Sequence, residues 1–392
     1  MTVQKMTAEW RRFELPLGDV GFPYAYGTDC VDRITAEVGA LDADRLLLVT
    51  DDRVLDLHGE VVIAALAKYA AVHVLTGPPG EQRKTFGVLS DHLEQVIAAG
   101  ASRRSVVVTL GGGVVGNLEG LLASLLFRGV RLVHIPTTLM AAADSTISLK
   151  QAINTPTSKN TIGTYHRPTA VLVDIALFAT LPPDELRSGL CESVKNCLAI
   201  RPTGIDPLLG VLREDRPITA EAYALLLRES IQAKCAVMHA DPYEREAAIV
   251  LEYGHTIGHA IEVADRTAPA DDRIRHGDAV ALGIHAAALI SARRGWLDER
   301  DVEMHRALLS AVGAPSVLPG HLQPERIVQA VVHDNKRGYI PCSDREVPLA
   351  LLRDLGIPAS TANRPLVPVD MDVVAQAVEA LCGGAASRRG VT

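Results

Sequence analysis

The segment Leu251-Glu252-Tyr253-Gly254-His255-Thr256-Ile257-Gly258-His259-Ala260-Ile261-Glu262 carries the residue types best suited to chemistry. His255 and His259 stand four apart, a metal-ligand spacing, and Glu252 precedes them on the same face of the helix that the spacing predicts. Gly254 and Gly258 are costly inside a helix unless something packs closely against them. His276, in Arg275-His276-Gly277-Asp278, offers another imidazole. Two histidines on an Ala-rich helix also serve as a buried structural pair, so at this level both readings stand. A second segment, Gly111-Gly112-Gly113-Val114-Val115-Gly116, fits G-x-G-x-x-G. It follows a strand-like run and opens a helical one, where bare backbone N–H groups can approach a pyrophosphate. The acid expected some 20 residues later, to hold a ribose, is missing from His134-Ile135-Pro136-Thr137-Thr138, which makes Asp51, at the end of an earlier run, the better candidate. A tight turn with close helix–strand packing is the alternative. Polar and cationic residues also gather in Asp144-Ser145-Thr146-Ile147-Ser148-Leu149-Lys150-Gln151, in Ser158-Lys159-Asn160 and in Glu192-Ser193-Val194-Lys195-Asn196. Glu192 and Lys195 are one helical turn apart, and a surface ion pair is their plainest explanation.

These residues need elements to position them. Short apolar runs at 45–50, 71–76, 105–110, 131–136 and 169–174 alternate with amphipathic stretches. Continuous apolar runs separated by helices predict a parallel sheet buried on both faces, a doubly wound Rossmann-like α/β domain. After Leu181-Pro182-Pro183 the pattern turns Ala- and Leu-rich at helical spacing, with no strand-like run to about Leu309. Two further helices, at 323–335 and 370–384, flank a possible hairpin at 338–352. The expected division is therefore an α/β domain over 1–180, a mostly helical domain over 181–382 and a flexible tail over 383–392. A hinge near 176–184 makes an interdomain cleft the expected ligand site.

The chain has 392 residues, 48% hydrophobic and 22% charged, with a net charge of −8, which excludes general disorder and argues against nucleic acid or an anionic membrane as partner. It lacks an apolar run long enough for a membrane span or a signal peptide. The six cysteines are widely spread without a C-x-x-C pair, as expected of small, reduced, buried side chains in a cytoplasmic protein. The cations are mostly Arg. Only eight are Lys: Lys5, Lys68, Lys84, Lys150, Lys159, Lys195, Lys234 and Lys336. Where Arg is the default cation, a Lys hints at a position that needs a compact ammonium.

Taken in order and spacing, the segments resemble the sugar-phosphate cyclases, whose best-known member is 3-dehydroquinate synthase. The resemblance runs from about residue 40 to 355. It takes in Pro79-Gly80-Glu81-Gln82-Arg83-Lys84-Thr85, the triple glycine, Phe127-Arg128-Gly129-Val130, Ile135-Pro136-Thr137-Thr138-Leu139, and the GHTIGHAIE and His276-Gly277 segments. It implies an NAD-binding α/β domain, a helical metal domain and a homodimer. Two departures matter. Dehydroquinate synthases read D-S-x-x-G-G-K-T-G where this chain reads DSTISLKQA. They also carry Arg and Asn at the places of Ala248 and Glu252. Both departures resemble the branch of the family that cyclises D-glucose 6-phosphate in aminoglycoside antibiotic biosynthesis.

The resemblance assigns a divalent metal, Zn or Co, to Glu192, His255 and His276, in place of the His255–His259 pair that spacing alone suggests. It assigns NAD to Asp51, Glu81, Gln82, Arg83, Lys84, Gly113, Val114, Val115, Gly116, Asn117, Thr137, Thr138, Ser148, Leu149, Lys150, Lys159 and Asn160. Substrate would be held by Asp144, Asn160, Lys195, Lys234, Lys336 and Arg128, the last reaching a neighbouring subunit's substrate, with Lys150, Glu252 and His259 in the chemistry. Lys336 departs locally, in Asp334-Asn335-Lys336-Arg337, where the family reads D-K-K. The alternatives are a heptulose-phosphate cyclase, a metal-dependent NAD alcohol dehydrogenase and a non-catalytic binding subunit.

Overall fold

The β-branched and Leu runs at Arg45–Val49 (β3), Ala71–Leu75 (β4), Val106–Gly111 (β5), Arg131–Pro136 (β6) and Ala170–Asp174 (β9) are five of the six mutually parallel strands of a seven-stranded sheet. Its order is β1-β2-β9-β6-β5-β3-β4, with Arg11–Glu14 as β1 and Pro23–Gly27 as β2. Successive side chains of a strand face opposite ways. Here Leu46, Leu48, Val106 and Val108 pack into one core, and Leu47, Val49 and Val107 into another on the opposite face. Burial on both faces explains why these runs carry no polar alternation. The computed structural model describes residues 8–156, 158–213, 218–269 and 272–383. The expected tail over 383–392, apart from Gly383, lies outside these residues, as does Lys5.

The runs at 11–14 and 23–27 are not among the expected strands. β1 is an antiparallel edge strand, mostly exposed, and β2 opens on Pro23, so neither shows a long apolar run. A further antiparallel hairpin pairs Lys150–Ile153 (β7) with Ile162–Tyr165 (β8). It packs on the helix Gly113–Leu125 at Gly120, where a Cβ would overlap the Gln151 amide.

The chain divides into two compact units, one of residues 1–156, 160–186 and 216–243, the other of 157–159, 187–215 and 244–392. The expected division at 180/181 assigns the helix Ala220–Met238 to the C-terminal part, whereas the structure places it in the first unit. Two contacts hold it there: Lys234 Nζ lies 3.0 Å from Asp144 Oδ1, and Tyr223 packs edge-on against Phe178 at 5.3 Å between ring centroids.

The second unit is mostly helical, as the spacing predicts. The expected hairpin at 338–352 does not form. Glu346–Leu349 pairs instead with Val367–Asp370, antiparallel. Pro341 lacks a backbone donor, and Ser343 turns the chain through hydrogen bonds to Glu346 Oε2 from its N–H and its hydroxyl. All six cysteines are free, with Cys30, Cys191, Cys197 and Cys235 buried and, contrary to expectation, Cys342 and Cys382 exposed. Among the described residues no helix is long and apolar enough to cross a membrane.

Candidate active site

In the second unit, close approach between helices builds a cluster. Gly277 opens the helix His276–Arg293 against Ser188, in the helix Pro183–Ala199. A Cβ at Gly277 would lie 2.7 Å from Ser188 Oγ and nearer still to the Ser188 backbone. The Gly277 N–H donates to Ser188 Oγ at 2.9 Å, and Arg187 clamps Asp278 through two 2.7 Å bonds. One turn beyond Ser188, Glu192 is thereby set opposite His276.

Gly254 does not lie inside a helix, and the predicted helical face from Glu252 to His259 is broken there. A 3-10 turn, Ala247–Glu252, ends, Gly254 takes a left-handed φ of +79°, and a new helix runs His255–Ala264. A side chain at Gly254 would meet Ile284 N at 2.7 Å, and one at Gly258 would meet Val280 Cα at 3.1 Å. The two glycines thus let the His255 and His276 helices pack closely, which is the exception under which glycine is tolerated.

Glu192, His255 and His276 each offer a ligand atom, all within 4.8 Å of one another. Nε2 of His255 and of His276 lie 3.4 and 3.5 Å from Glu192 Oε1. The other ring nitrogens are engaged: His255 Nδ1 is 3.3 Å from Tyr253 O, and His276 Nδ1 is 3.0 Å from Glu262 Oε2. Glu262 Oε1 in turn meets Lys159 Nζ at 2.6 Å. Burial alone would raise the pKa of Glu192, but Lys195 and then His255 overcome it and hold the carboxyl well below the usual range. Burial likewise pulls His276 down, yet Glu262 and Glu192 push it up to about 10. Lys195 contacts Glu192 with both side chains almost fully buried, so the pair is no surface ion pair. His259 lies beside this cluster, its ring centroid 5.4 Å from that of His255, with Nδ1 3.1 Å from Asp334 Oδ2. Lys336, 1% exposed, sets Nζ 2.8 Å from both Glu252 Oε2 and Asp334 Oδ1.

In the first unit, the glycine turn joins β5 to the helix Gly113–Leu125, whose N-terminus at Gly112 carries no side-chain cap. Val114, Val115 and Gly116 follow in its first turn, and Asn117 Nδ2 donates to Gly113 O at 3.0 Å. Asp51 lies just past the neighbouring strand β3 and accepts from Val54 N through Oδ1 at 2.9 Å. Thr137 N donates to Gly111 O at 3.0 Å, and Thr138 Oγ1 accepts from Ala141 N at 3.0 Å. Gln82, exposed in its backbone turn, donates to Pro79 O, whereas Arg83 is buried and donates to Thr50 O at 2.9 Å, tying loops together. Lys84 Nζ donates to Asn160 Oδ1, and Ser148 Oγ accepts from Lys150 N at 3.1 Å, beside the buried Leu149. Lys234 meets Asp144, as above. Arg128 is exposed, in a run of left-handed residues (Phe127, φ 52°; Arg128, φ 69°; Gly129, φ 118°).

The chain matches the 3-dehydroquinate synthase N-terminal family over residues 74–188 and the 3-dehydroquinate synthase C-terminal family over 189–337. It is 45% identical to the 2-deoxy-scyllo-inosose synthase of Streptomyces paromomycinus, over 96% of each chain. It is also 45% identical to that of Streptomyces fradiae, over 93% of this chain and 84% of the relative. This chain belongs to the 2-deoxy-scyllo-inosose synthase branch of the 3-dehydroquinate synthase family. A solved 2-deoxy-scyllo-inosose synthase, complexed with carbaglucose-6-phosphate, NAD+ and Co2+, superposes with a TM-score of 0.83 at 31% identity, covering 94% of this chain and 99% of that one. A 2-epi-5-epi-valiolone synthase with NAD+ and Zn2+, from Streptomyces hygroscopicus subsp. jinggangensis, gives 0.78 at 25% identity, over 93% and 98%. Alcohol and glycerol dehydrogenases at 14–17% identity share the fold alone.

Three residues of this site have no role in the sequence reading. Glu262 and Asp334 orient histidines, yet each reads in sequence as an ordinary helix or loop acid. Asn154 joins Glu81, Lys84 and Asn160: its Nδ2 donates to Glu81 Oε1 at 2.7 Å, its N–H to Lys84 O at 2.8 Å, and its Oδ1 accepts from Asn160 N at 2.9 Å. Its signal was available, as the last residue of the DSTISLKQAIN segment.

Proposed function

We propose that this chain converts D-glucose 6-phosphate into 2-deoxy-scyllo-inosose and inorganic phosphate, using NAD and one divalent ion, Zn or Co. Glu252 carries the reading: a half-buried carboxylate stands where dehydroquinate synthases hold an amide, in a chain alike over nearly its whole length to glucose 6-phosphate cyclases. The donor set fits a metal. Glu192 is fully buried with Oε1 facing Nε2 of both His255 and His276, and one Glu with two His is a catalytic ligand set that leaves positions open. The uncapped, glycine-lined helix start at Gly112 fits a pyrophosphate.

NAD supplies the hydride acceptor and donor, and the ion polarises substrate hydroxyls. The substrate is oxidised at C4, loses phosphate from C6, is reduced again at C4, and closes by aldol attack of C6 on C1. No net oxidation results, and NAD stays bound. The chain's own groups move the protons and hold the oxygens. Once C4 is a ketone the C5 proton is acidic, and Glu252 takes it as phosphate leaves. His259 relays a proton, and Lys150 steadies the C4 oxygen. Lys195, Lys234, Asn160 and Asp144 hold phosphate and hydroxyls. Arg128, on its strained exposed turn, reaches the substrate of a second copy, which makes a homodimer the working state. The free cysteines suit the cytoplasm.

The test is incubation with glucose 6-phosphate, NAD+ and Co2+ or Zn2+, with sedoheptulose 7-phosphate as control. Phosphate and a carbocyclic ketone are expected from glucose 6-phosphate alone. Net NADH release without phosphate would replace this reading with a dehydrogenase.

A further inference from the structure

We propose that Lys336 and Asp334 are positioning residues that bind Glu252 and His259 into one unit, and that Lys336 does not anchor phosphate. The geometry is a chain of alternating partners: Glu252 Oε2 to Lys336 Nζ at 2.8 Å, Lys336 Nζ to Asp334 Oδ1 at 2.8 Å, and Asp334 Oδ2 to His259 Nδ1 at 3.1 Å. An ammonium has three donors and no acceptor. Lys336 has an acceptor for each, because Asn335 Oδ1 also lies 3.3 Å away. With 1% of the residue exposed, a phosphate would have to displace a carboxylate to reach it. Asp334 is shared in the same way, and the Lys336 N–H also donates to its Oδ1 at 3.1 Å.

Each link has a consequence for the proton steps. Lys336 sets a positive charge 2.8 Å from Glu252 Oε2 and holds the carboxyl in one orientation, as a base needs. Asp334 accepts from His259 Nδ1, which fixes the imidazole with its proton there and leaves Nε2 as the nitrogen able to take one. Asp334, His259 and Asn335 line one cleft together with Ser158, Lys159 and Ala260, so the unit borders open space. Asn335 belongs to the arrangement. Where the family carries a second lysine, a neutral amide leaves the two carboxylates to a single ammonium.

This inference rests on the cyclase reading, and its test separates the two. In the NAD- and zinc-loaded enzyme, Lys336→Met and Asp334→Asn should each lower kcat for phosphate release by about 10–100-fold, the scale of a slightly misplaced catalytic group, with KM changed less than threefold. Bound NADH should build up at 340 nm on mixing with substrate, because oxidation precedes the proton removal that these variants slow. A KM raised tenfold or more at unchanged kcat would make Lys336 a substrate anchor and overturn the proposal. If the variants do not fold, wild-type protein decides through 15N-histidine NMR, with His259 assigned by its loss in His259→Asn. The Nδ1-protonated neutral ring is expected, and an Nε2-protonated ring sinks the proposal. If wild-type enzyme releases no phosphate from glucose 6-phosphate, the cyclase reading fails on its own, and the NMR result still tests the link from Asp334 to His259.

Discussion

At the scale of single residues, the site is a set of carboxylates with separate tasks. Glu192 faces two imidazole Nε2 atoms, Glu262 holds His276 from behind, and Glu252 rests on Lys336. Glu252→Gln keeps the shape and removes the proposed base, so phosphate release should fall by at least about 10²-fold. A loss under tenfold in a steady-state phosphate assay would remove Glu252 from the proton steps. Glu262→Gln should act on the ion instead. Residues that orient a metal-binding histidine are typically worth about 10–100-fold in affinity. Titration of Co2+ against a chromophoric chelator should show that loss, with the cobalt absorption bands shifted. The grouping of Glu192 with His255 and His276 was legible only through the family resemblance, since spacing alone pointed to His255 with His259. The partners behind them were not. Nothing local marks Asp334 or Glu262 as different from any surface acid, since their roles come from contacts 75 and 14 residues away in the chain.

At the scale of elements, glycine decides which helices can touch. Gly277→Ala would force the His276 helix away from the Ser188 backbone. Overpacking of this kind typically costs about 1–3 kcal/mol, and here it also separates His276 from Glu192. A lower melting temperature together with weaker Co2+ binding is the expected pair of results. Gly210, in the helix Ile205–Leu212, has open space where a side chain would go, with nothing within 4 Å of an added Cβ. Gly210→Ala should therefore stabilise by about 0.5–1 kcal/mol, a difference measurable by urea unfolding. The parallel strands were readable because burial on both faces leaves an unbroken apolar run. β1 and the hairpin β7–β8 were not. They sit at an edge or on a helix, where polar and apolar residues mix. Gly254 misled in the other direction: its histidine spacing suits a continuous helix, and only its left-handed φ shows that the helix begins at His255.

At the scale of the whole molecule, buried charge sets how stability responds to acid. Burial raises the pKa of Glu262 and of Asp334, but Lys159 and Lys336 respectively overcome it, and both carboxyls fall below their usual range, as Glu192 does. Each folded value lies below its unfolded value, so the stability they add is full above about pH 5 and is lost as pH falls through the folded values. Lys336 works oppositely: burial lowers its pKa, and Asp334 and Glu252 more than restore it. Its share is complete below the unfolded lysine value and is lost as pH rises through the folded one. Urea midpoints of chelator-treated protein should fall below about pH 4, and less steeply in Asp334→Asn. The two-part α/β and helical architecture was legible from hydrophobic pattern alone. The return of the helix Ala220–Met238 to the first unit was not, because it depends on contacts distant in the chain, Lys234 with Asp144 and Tyr223 with Phe178. The lysines carry one more consequence. The side chains of Lys84, Lys159, Lys195, Lys234 and Lys336 are each 7% exposed or less, whereas that of Lys68 is 62% exposed. To an amine-directed acylating reagent the folded molecule therefore offers few handles. Peptide mass mapping should find Lys68 labelled early and these five only after unfolding, so tethering through surface amines should leave turnover intact.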